Sequence, residues 1–311
     1  MFQERDLMFI YCVTPVHAGT GTAIGAIDSP IQRERHTGYP TIAGSGIKGA
    51  LREHCRGDGQ DTDAALTAVF GPPPASSSDH AGAASFSDAQ IVLFPVRSPK
   101  NAFYYVTCPT ALFTLQRLAA LANVAPSSPW QNLQPEESQY IPLGTDAGEQ
   151  LYLEAFKFNK ATGGGVTVGQ WLANHALPAE KSWLDFFRNK IGQDVVLVHN
   201  EAFGHFVRHS TLVEPHVRIR DESGTAEDGG LFYVENLPPE SLLVSLVMAS
   251  KVRRSANNTQ TDNGNINLES AADVVGYLKR NLDGQLVQLG GDSTTGRGQV
   301  LLHFATREVK Q

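Results

Sequence analysis

The sequence predicts an α+β fold, with an antiparallel sheet and helices on one face. Three observations carry that expectation. Apolar runs of strand length stand near both ends and late in the chain. Apolar residues at helical spacing stand beside them. Glycine-rich or polar stretches of turn composition separate the pieces. A strand–loop–helix opening and a helix–strand–glycine loop–strand close suit a ferredoxin-like arrangement. The middle of the chain then reads as an insertion, not a separate domain.

Leu7–Val13 is apolar, β-branched and aromatic, and stops at Thr14-Pro15, as a buried strand would. A glycine-rich, irregular stretch follows from His17 to Gly44. Ser45 has the chemistry of a helix N-cap, and Ile47, Ala50, Leu51 and Cys55 make one apolar face over 45–56. Gly71–Ser85 reads as a loop and Ile91–Val96 as a strand. Thr110 is placed to cap a helix carrying Leu112, Phe113, Leu115, Leu118 and Leu121. Residues 123–150 are polar and proline-rich, which predicts loop. Val195–Val198 and Leu242–Met248 read as strands. A long hairpin is expected at 212–236, with arms LVEPHVRIR and GLFYVENL around a polar turn. Residues 255–267 read as a polar loop. Ser270 should cap a last helix bearing Ala271, Val274, Val275, Leu278 and Leu282. Gln285–Leu289 and Gln299–Phe304 flank a loop with four glycines in residues 290–298.

Composition excludes several classes. Of 311 residues, 41% are apolar and 18% charged, so the chain is neither a disordered tail nor a fibre. Lys and Arg number 25 against 32 Asp and Glu, a net charge of −7, which argues against coating nucleic acid by bulk charge. The three cysteines, Cys12, Cys55 and Cys108, have neither zinc-ligand nor disulfide-framework spacing, and a reducing cytoplasm fits them. The N-terminal run has acids before it and reads as a strand, not a signal peptide. No apolar run approaches the ~18 residues of a membrane span.

The motifs that suggest chemistry each have a plain alternative. Gly44-Ser45-Gly46-Ile47-Lys48-Gly49 is formally a GxGxxG, but no apolar strand leads into it and no βαβ unit follows. His205 and His209 are four apart without the Glu of a zinc-protease helix, and a strand is equally consistent with them. Between residues 33 and 56, five Lys or Arg face two acids, a local balance of +3 inside a −7 chain. Segregated positive charge near glycine-rich backbone suits phosphate contact. A solvated face with internal ion pairs accounts for it as well. Asp28 stands in a loop, where an Asp is usually a turn-former; the functional option is a carboxylate set against an RNA sugar.

The run Asp28-Ser29-Pro30-Ile31-Gln32-Arg33-Glu34-Arg35-His36-Thr37-Gly38-Tyr39-Pro40 resembles the signature of RAMP backbone subunits of type III-B (Cmr) CRISPR effector complexes. His17-Ala18-Gly19-Thr20-Gly21 fits that signature too. Gly44–Arg52 is similar to the family's Pro-Gly-Ser-Ser-Leu-Lys-Gly stretch, with Ala43 in place of Pro and Gly46 in place of the second Ser. The 290–298 loop resembles the glycine-rich loop shared by RAMP proteins, and the 212–236 hairpin is similar to the family's thumb. Residues 60–190 carry no matching signature.

The resemblance implies a single RAMP domain over 1–311, with an RRM-like palm, a fingers insertion over about 57–190 and a β-hairpin thumb. It implies copies stacked along a CRISPR RNA beside other Cmr subunits, away from any membrane. Bound target RNA would be cut at six-nucleotide steps with Mg²⁺ or Mn²⁺. Asp28 would be catalytic and a metal anchor once RNA is bound, and His17 a proton-transfer or phosphate contact. RNA contacts would come from Arg33, Arg35, His36, Ser45, Gly46, Lys48, Arg52, Arg218, Gly290, Gly291, Thr294, Gly296 and Arg297. Two other outcomes fit the same resemblance: a filament subunit that binds RNA without cutting, and a stand-alone nuclease that processes CRISPR RNA precursors with a histidine-based site.

Overall fold

The computed structural model describes residues 2–21, 26–57, 63–72, 81–126, 130–145, 147–161, 167–253 and 268–306. Strand β1 (Glu4–Cys12) leads through irregular chain to β2 (Thr41–Ile42) and helix α1 (Gly44–Gly57). Helix α2 (Asp63–Phe70), strands β3 (Ala84–Phe86), β4 (Ala89–Arg97) and β5 (Phe103–Thr107), and helix α3 (Pro109–Leu121) follow. Then come β6 (Gln139–Pro142), β7 (Gln150–Leu153), β8 (Phe156–Lys160), α4 (Thr167–His175), α5 (Asp185–Gln193), β9 (Val195–Val198) and α6 (Asn200–His209). The hairpin β10 (Leu212–Ile219)–β11 (Ala226–Asn236), β12 (Leu242–Ala249), α7 (Ala271–Leu282), β13 (Leu286–Gln288) and β14 (Gln299–Phe304) complete the order.

Twelve of these strands form one sheet in the order β13-β14-β1-β12-β4-β5-β9-β6-β8-β7, with β2 beside β4 and β3 beside β12. Pairing is antiparallel except between β5 and β9 and between β6 and β8. The expected mixed α+β fold with a mostly antiparallel sheet is therefore present. β1 explains why its run is uninterrupted: Met8, Ile10 and Cys12 enter one core, Leu7, Phe9 and Tyr11 the other. Such a strand is covered on both faces and has no polar side to alternate with.

That burial corrects one expectation, because helices lie on both faces. α1, α6 and α7 pack through Ile47, Leu51, Phe203, Phe206, Val274 and Leu278 in the first core. α3 and α4 pack through Leu112, Leu115, Trp171 and Leu172 in the second. The second layer comes from the middle of the chain, which shows no motif.

Two predicted caps are also corrected. α1 starts one residue before Ser45, and its entry is capped from afar: Asp88 Oδ1 accepts the Gly44 N–H at 2.8 Å and Gln32 Oε1 that of Ala43 at 2.8 Å. Gly44 is required there, since a Cβ would stand 2.3 Å from the Phe86 carbonyl oxygen. α3 is capped by Cys108, whose Sγ accepts the Ala111 N–H, with Pro109 in the first turn rather than Thr110 at the cap. Ser270 does cap α7, in a reciprocal box with Asp273. Within 123–150, read as loop, β6 forms by pairing with β9. Most of the 71–85 loop (73–80) and all of 255–267 lie outside the described residues. No helix among the described residues is long and apolar enough to cross a membrane.

Candidate nucleic-acid interface

Residues 28–40 are irregular because Pro30, Pro40 and the positive φ of Gly38 (73°) deny them a regular ladder. Isolated bridges hold the run instead. Gly19 pairs with Ile31, Arg33 with Pro40, and Ser29 with Val234 of β11. The Ser29 bridge ties the run to the hairpin. The Ser29 N–H donates to the Tyr233 carbonyl at 3.0 Å, and the Glu235 N–H donates to the Ser29 carbonyl at 2.9 Å. Beside it, Asp28 Oδ2 accepts the Tyr233 N–H at 2.8 Å. Asp28 is exposed, and among the described residues its other oxygen meets no donor.

Glu235 is the hub of this join, with its side chain only 2% exposed. It accepts from Arg33 at 2.5 Å, from the Ile31 N–H at 3.1 Å and from the Thr211 hydroxyl at 2.8 Å. Arg33 also donates to the carbonyls of Gly38 at 3.0 Å and Val207 at 2.9 Å. One guanidinium therefore links the hairpin, the 28–40 run and the end of α6. The backbone oxygen of Glu235 lies 2.7 Å from His17 Nδ1. A carbonyl can only accept, so neutral His17 holds its proton on Nδ1 and presents Nε2 as an acceptor.

The glycine loop rests on the same histidine. Gly291 N–H donates to the His17 carbonyl at 2.9 Å. At Gly290 (φ 82°) a Cβ would stand 2.3 Å from that oxygen, so no side chain fits. Ser293–Thr295 form a short 3₁₀ turn, with Thr294 and Gly296 exposed. Arg297 turns away and pairs with Glu214 of β10 at 2.5 Å.

The described structure thus brings together Asp28, His17, Arg33, Gly290, Gly291 and Arg297 around the hairpin base. α1 joins through Gln32. Ser45 and Gly46 are exposed on its first turn, and a Cβ at Gly46 or Gly49 would meet nothing within 4 Å. Lys48 is half-buried; burial, and next to it the Arg52 charge, hold its pKa below that of an ordinary lysine. Arg52 donates to the Gly71 carbonyl. Arg35 is exposed with no partner among the described residues, and exposed His36 lies 3.8 Å from Glu34. Arg218 sits apart on the outer hairpin, 3.6 Å from Glu227.

Sequence reasoning missed Glu235, Glu214 and the Tyr233 amide. The available signal was a carboxylate set in the apolar arm FYVENL.

The hairpin carries an apolar side with nothing behind it among the described residues. In register, Val213 faces Glu235, Pro215 faces Tyr233 and Val217 faces Leu231. Val217 is 45% and Leu231 53% exposed. A bulge follows between Val217 and Ile219, and β11 begins at Ala226, four residues before the expected arm.

His205 and His209 stand on α6, exposed, with ring centroids 4.5 Å apart. No group of three metal-ligating side chains occurs among the described residues. The donor set at Asp28, one exposed carboxylate oxygen, suits an ion carried in by RNA phosphates rather than a cage for a resident one.

Comparison with known proteins agrees with this architecture. Residues 9–301 match the sequence profile of the RAMP superfamily. Over 304 residues the chain is 33% identical to the CRISPR system Cmr endoribonuclease Cmr4 of Pyrococcus furiosus, covering 94% of this chain and 93% of that one. It is 23% identical over 258 residues to the CMR subunit Cmr4 of Saccharolobus solfataricus, covering 78% and 83%. The crystal structure of oligomeric Cmr4 from Pyrococcus furiosus shares the fold at a TM-score of 0.70 and 24% identity, over 99% and 100% of the two chains. A chain of the type III-B Cmr-beta assembly bound to cognate target RNA does so at 0.71 and 21%, over 97% and 98%. The chain belongs to the RAMP superfamily and, within it, to the Cmr4 family.

Proposed function

We propose that this chain is a backbone subunit of a cytoplasmic type III-B CRISPR complex. Copies stack along the CRISPR RNA beside other Cmr subunits, and each cuts the bound target RNA, giving six-nucleotide steps. The carrying observation is the join between Asp28 and β11. It sets an exposed carboxylate at the root of a hairpin whose apolar side is exposed. In this reading β1, β12, β4 and β14 with α1 and α7 form an RRM-like palm, 57–190 the fingers and β10–β11 the thumb. The buried thiols Cys12, Cys55 and Cys108 suit the cytoplasm.

The chemistry follows from placement. A thumb face of Val213, Val217, Leu231 and Tyr233 can part stacked bases, at a cost of a few kcal/mol per step. A displaced base leaves its 2′-OH free to line up with the adjacent phosphorus. The unengaged oxygen of Asp28 accepts the 2′-OH proton. The O2′–P bond forms and the P–O5′ bond breaks, the leaving O5′ taking a proton from water, and the products are a cyclic 2′,3′-phosphate and a 5′-OH strand. His17 Nε2 is an acceptor when neutral and a phosphate contact when protonated. A Mg²⁺ or Mn²⁺ ion arriving with the RNA would take Asp28 as its protein oxygen and offset phosphate charge.

Guide contacts must be indifferent to sequence, because base pairing carries the specificity. The exposed amides and Ser45 on the first turn of α1, Lys48, Arg52, Arg35, His36, Thr294 and the bare glycines meet that need. Lys48→Ala should weaken guide binding alike for all sequences and reduce the salt slope by about one. The depressed pKa of Lys48 adds a sign: raising the pH neutralises it sooner than an ordinary lysine, so guide affinity falls as pH rises. Arg52→Ala lifts the smaller cause and moves that fall to higher pH. A fall unchanged in Lys48→Ala would contradict the assignment.

The function is tested on purified complex. It should carry a short RNA protected in six-nucleotide increments and should cut a matched target. Complex that binds the target and leaves it intact would instead indicate a purely structural subunit.

A further inference from the structure

We infer that Glu214 and Arg297 are a positioning pair for the thumb, and that Arg297 holds the hairpin rather than the guide phosphates. This rests on the cleavage reading above for its consequence, but not for its geometry.

A two-stranded ribbon with no layer behind it has no core to fix its angle. The orientation of β10–β11 must come from its root. Side chains alternate in direction along a strand, and the register sorts the anchors into two faces. Glu235 shares one face with Val213 and Tyr233 and holds it to Arg33 and the 28–40 run. Glu214 lies on the opposite face with Val234 and Asn236. It reaches Arg297 at 2.5 Å, and the same Oε2 accepts the Asn236 side-chain amide at 3.2 Å. One carboxylate thus joins both arms of the hairpin to the glycine loop.

The loop is a firm anchor. Gly291 N–H is bonded to the His17 carbonyl at 2.9 Å and Gly298 N–H to that of Pro15 at 2.8 Å. Arg297 is 23% and Glu214 35% exposed. With Glu235 on one side and Glu214 on the other, the thumb is tied from both faces, and Tyr233, whose amide holds Asp28, is the next residue beyond both ties toward the turn.

Two readouts test the pair. The first is hydrogen exchange of the free subunit. Arg297→Gln and Glu214→Gln should each lower protection of the β10 amides by about fivefold, the scale of one partly exposed ion pair, and leave β1 and β12 unchanged. The second is single-turnover cleavage at saturating target in assembled complex. Each substitution should slow cutting by about tenfold, as misplaced reacting groups do, with the salt slope of guide binding unchanged. Exchanging the partners, Glu214→Arg with Arg297→Glu, should restore most of both. Unchanged β10 exchange in both single variants would overturn the inference. So would Arg297→Gln that flattens the guide salt slope while Glu214→Gln cuts normally, since Arg297 would then be a phosphate contact. Wild-type complex that never cuts would remove the cleavage reading and leave the exchange test standing.

Discussion

Asp28→Asn should slow target cleavage by about 10² to 10⁴ while leaving target binding intact. The range is that of losing a positioned proton acceptor. Asparagine is the informative replacement because its side-chain oxygen still accepts the Tyr233 N–H that Asp28 accepts at 2.8 Å. The thumb join survives and only the basic oxygen is lost. Asp28→Ala removes both, so its added effect over Asn measures the join alone. Measured on assembled complex with a labelled matched target, cutting by Asp28→Asn at the wild-type rate would remove Asp28 from the chemistry. Loss of binding would place its role in assembly instead.

Glu235→Ala should be the most destabilising change at the site, by about 3 kcal/mol, as for any buried pair deprived of one partner. Three donors lose their acceptor together: Arg33, the Ile31 amide and the Thr211 hydroxyl. Glu235→Gln is subtler. With its oxygen kept toward Arg33 and Thr211, the amide turns its NH₂ group toward the Ile31 N–H, which cannot accept, so part of the penalty stays. Both variants should lower the denaturation midpoint and cut slowly, because the thumb and the Asp28 run are no longer held in one frame. A Glu235→Gln subunit with wild-type midpoint and cleavage would mean that the hub does not position the site.

What the sequence disclosed divides along physical lines. Strands buried on both faces, such as β1, announce themselves as unbroken apolar runs. α7 announces itself by its spacing and by Ser270 three residues before Asp273. The 28–40 run is legible as a motif because its prolines, glycine and charged residues are adjacent in the chain. Long-range contacts are not legible. The caps of α1 come from Gln32 and Asp88, and β6 is recruited out of a proline-rich stretch by β9. The Arg33–Glu235 pair joins residues 202 apart in the chain. Nothing in the local pattern of either residue says that they meet. The same holds for Arg297. Its place in a glycine-rich loop suggested phosphate, whereas the folded chain sets it against Glu214. α3 is legible as a helix from its apolar spacing, but nothing in its pattern or in that of α4 says that they cover the second face of the sheet.

The central claim is that an exposed carboxylate at the root of each thumb cuts the target wherever a thumb parts its bases. The most direct test is the ladder of products from an end-labelled, fully matched target in wild-type complex. Cuts at a constant six-nucleotide spacing, ending in cyclic phosphate and 5′-OH, and absent in Asp28→Asn, are the predicted result. Products at irregular spacing, or a ladder that persists in Asp28→Asn, would contradict it.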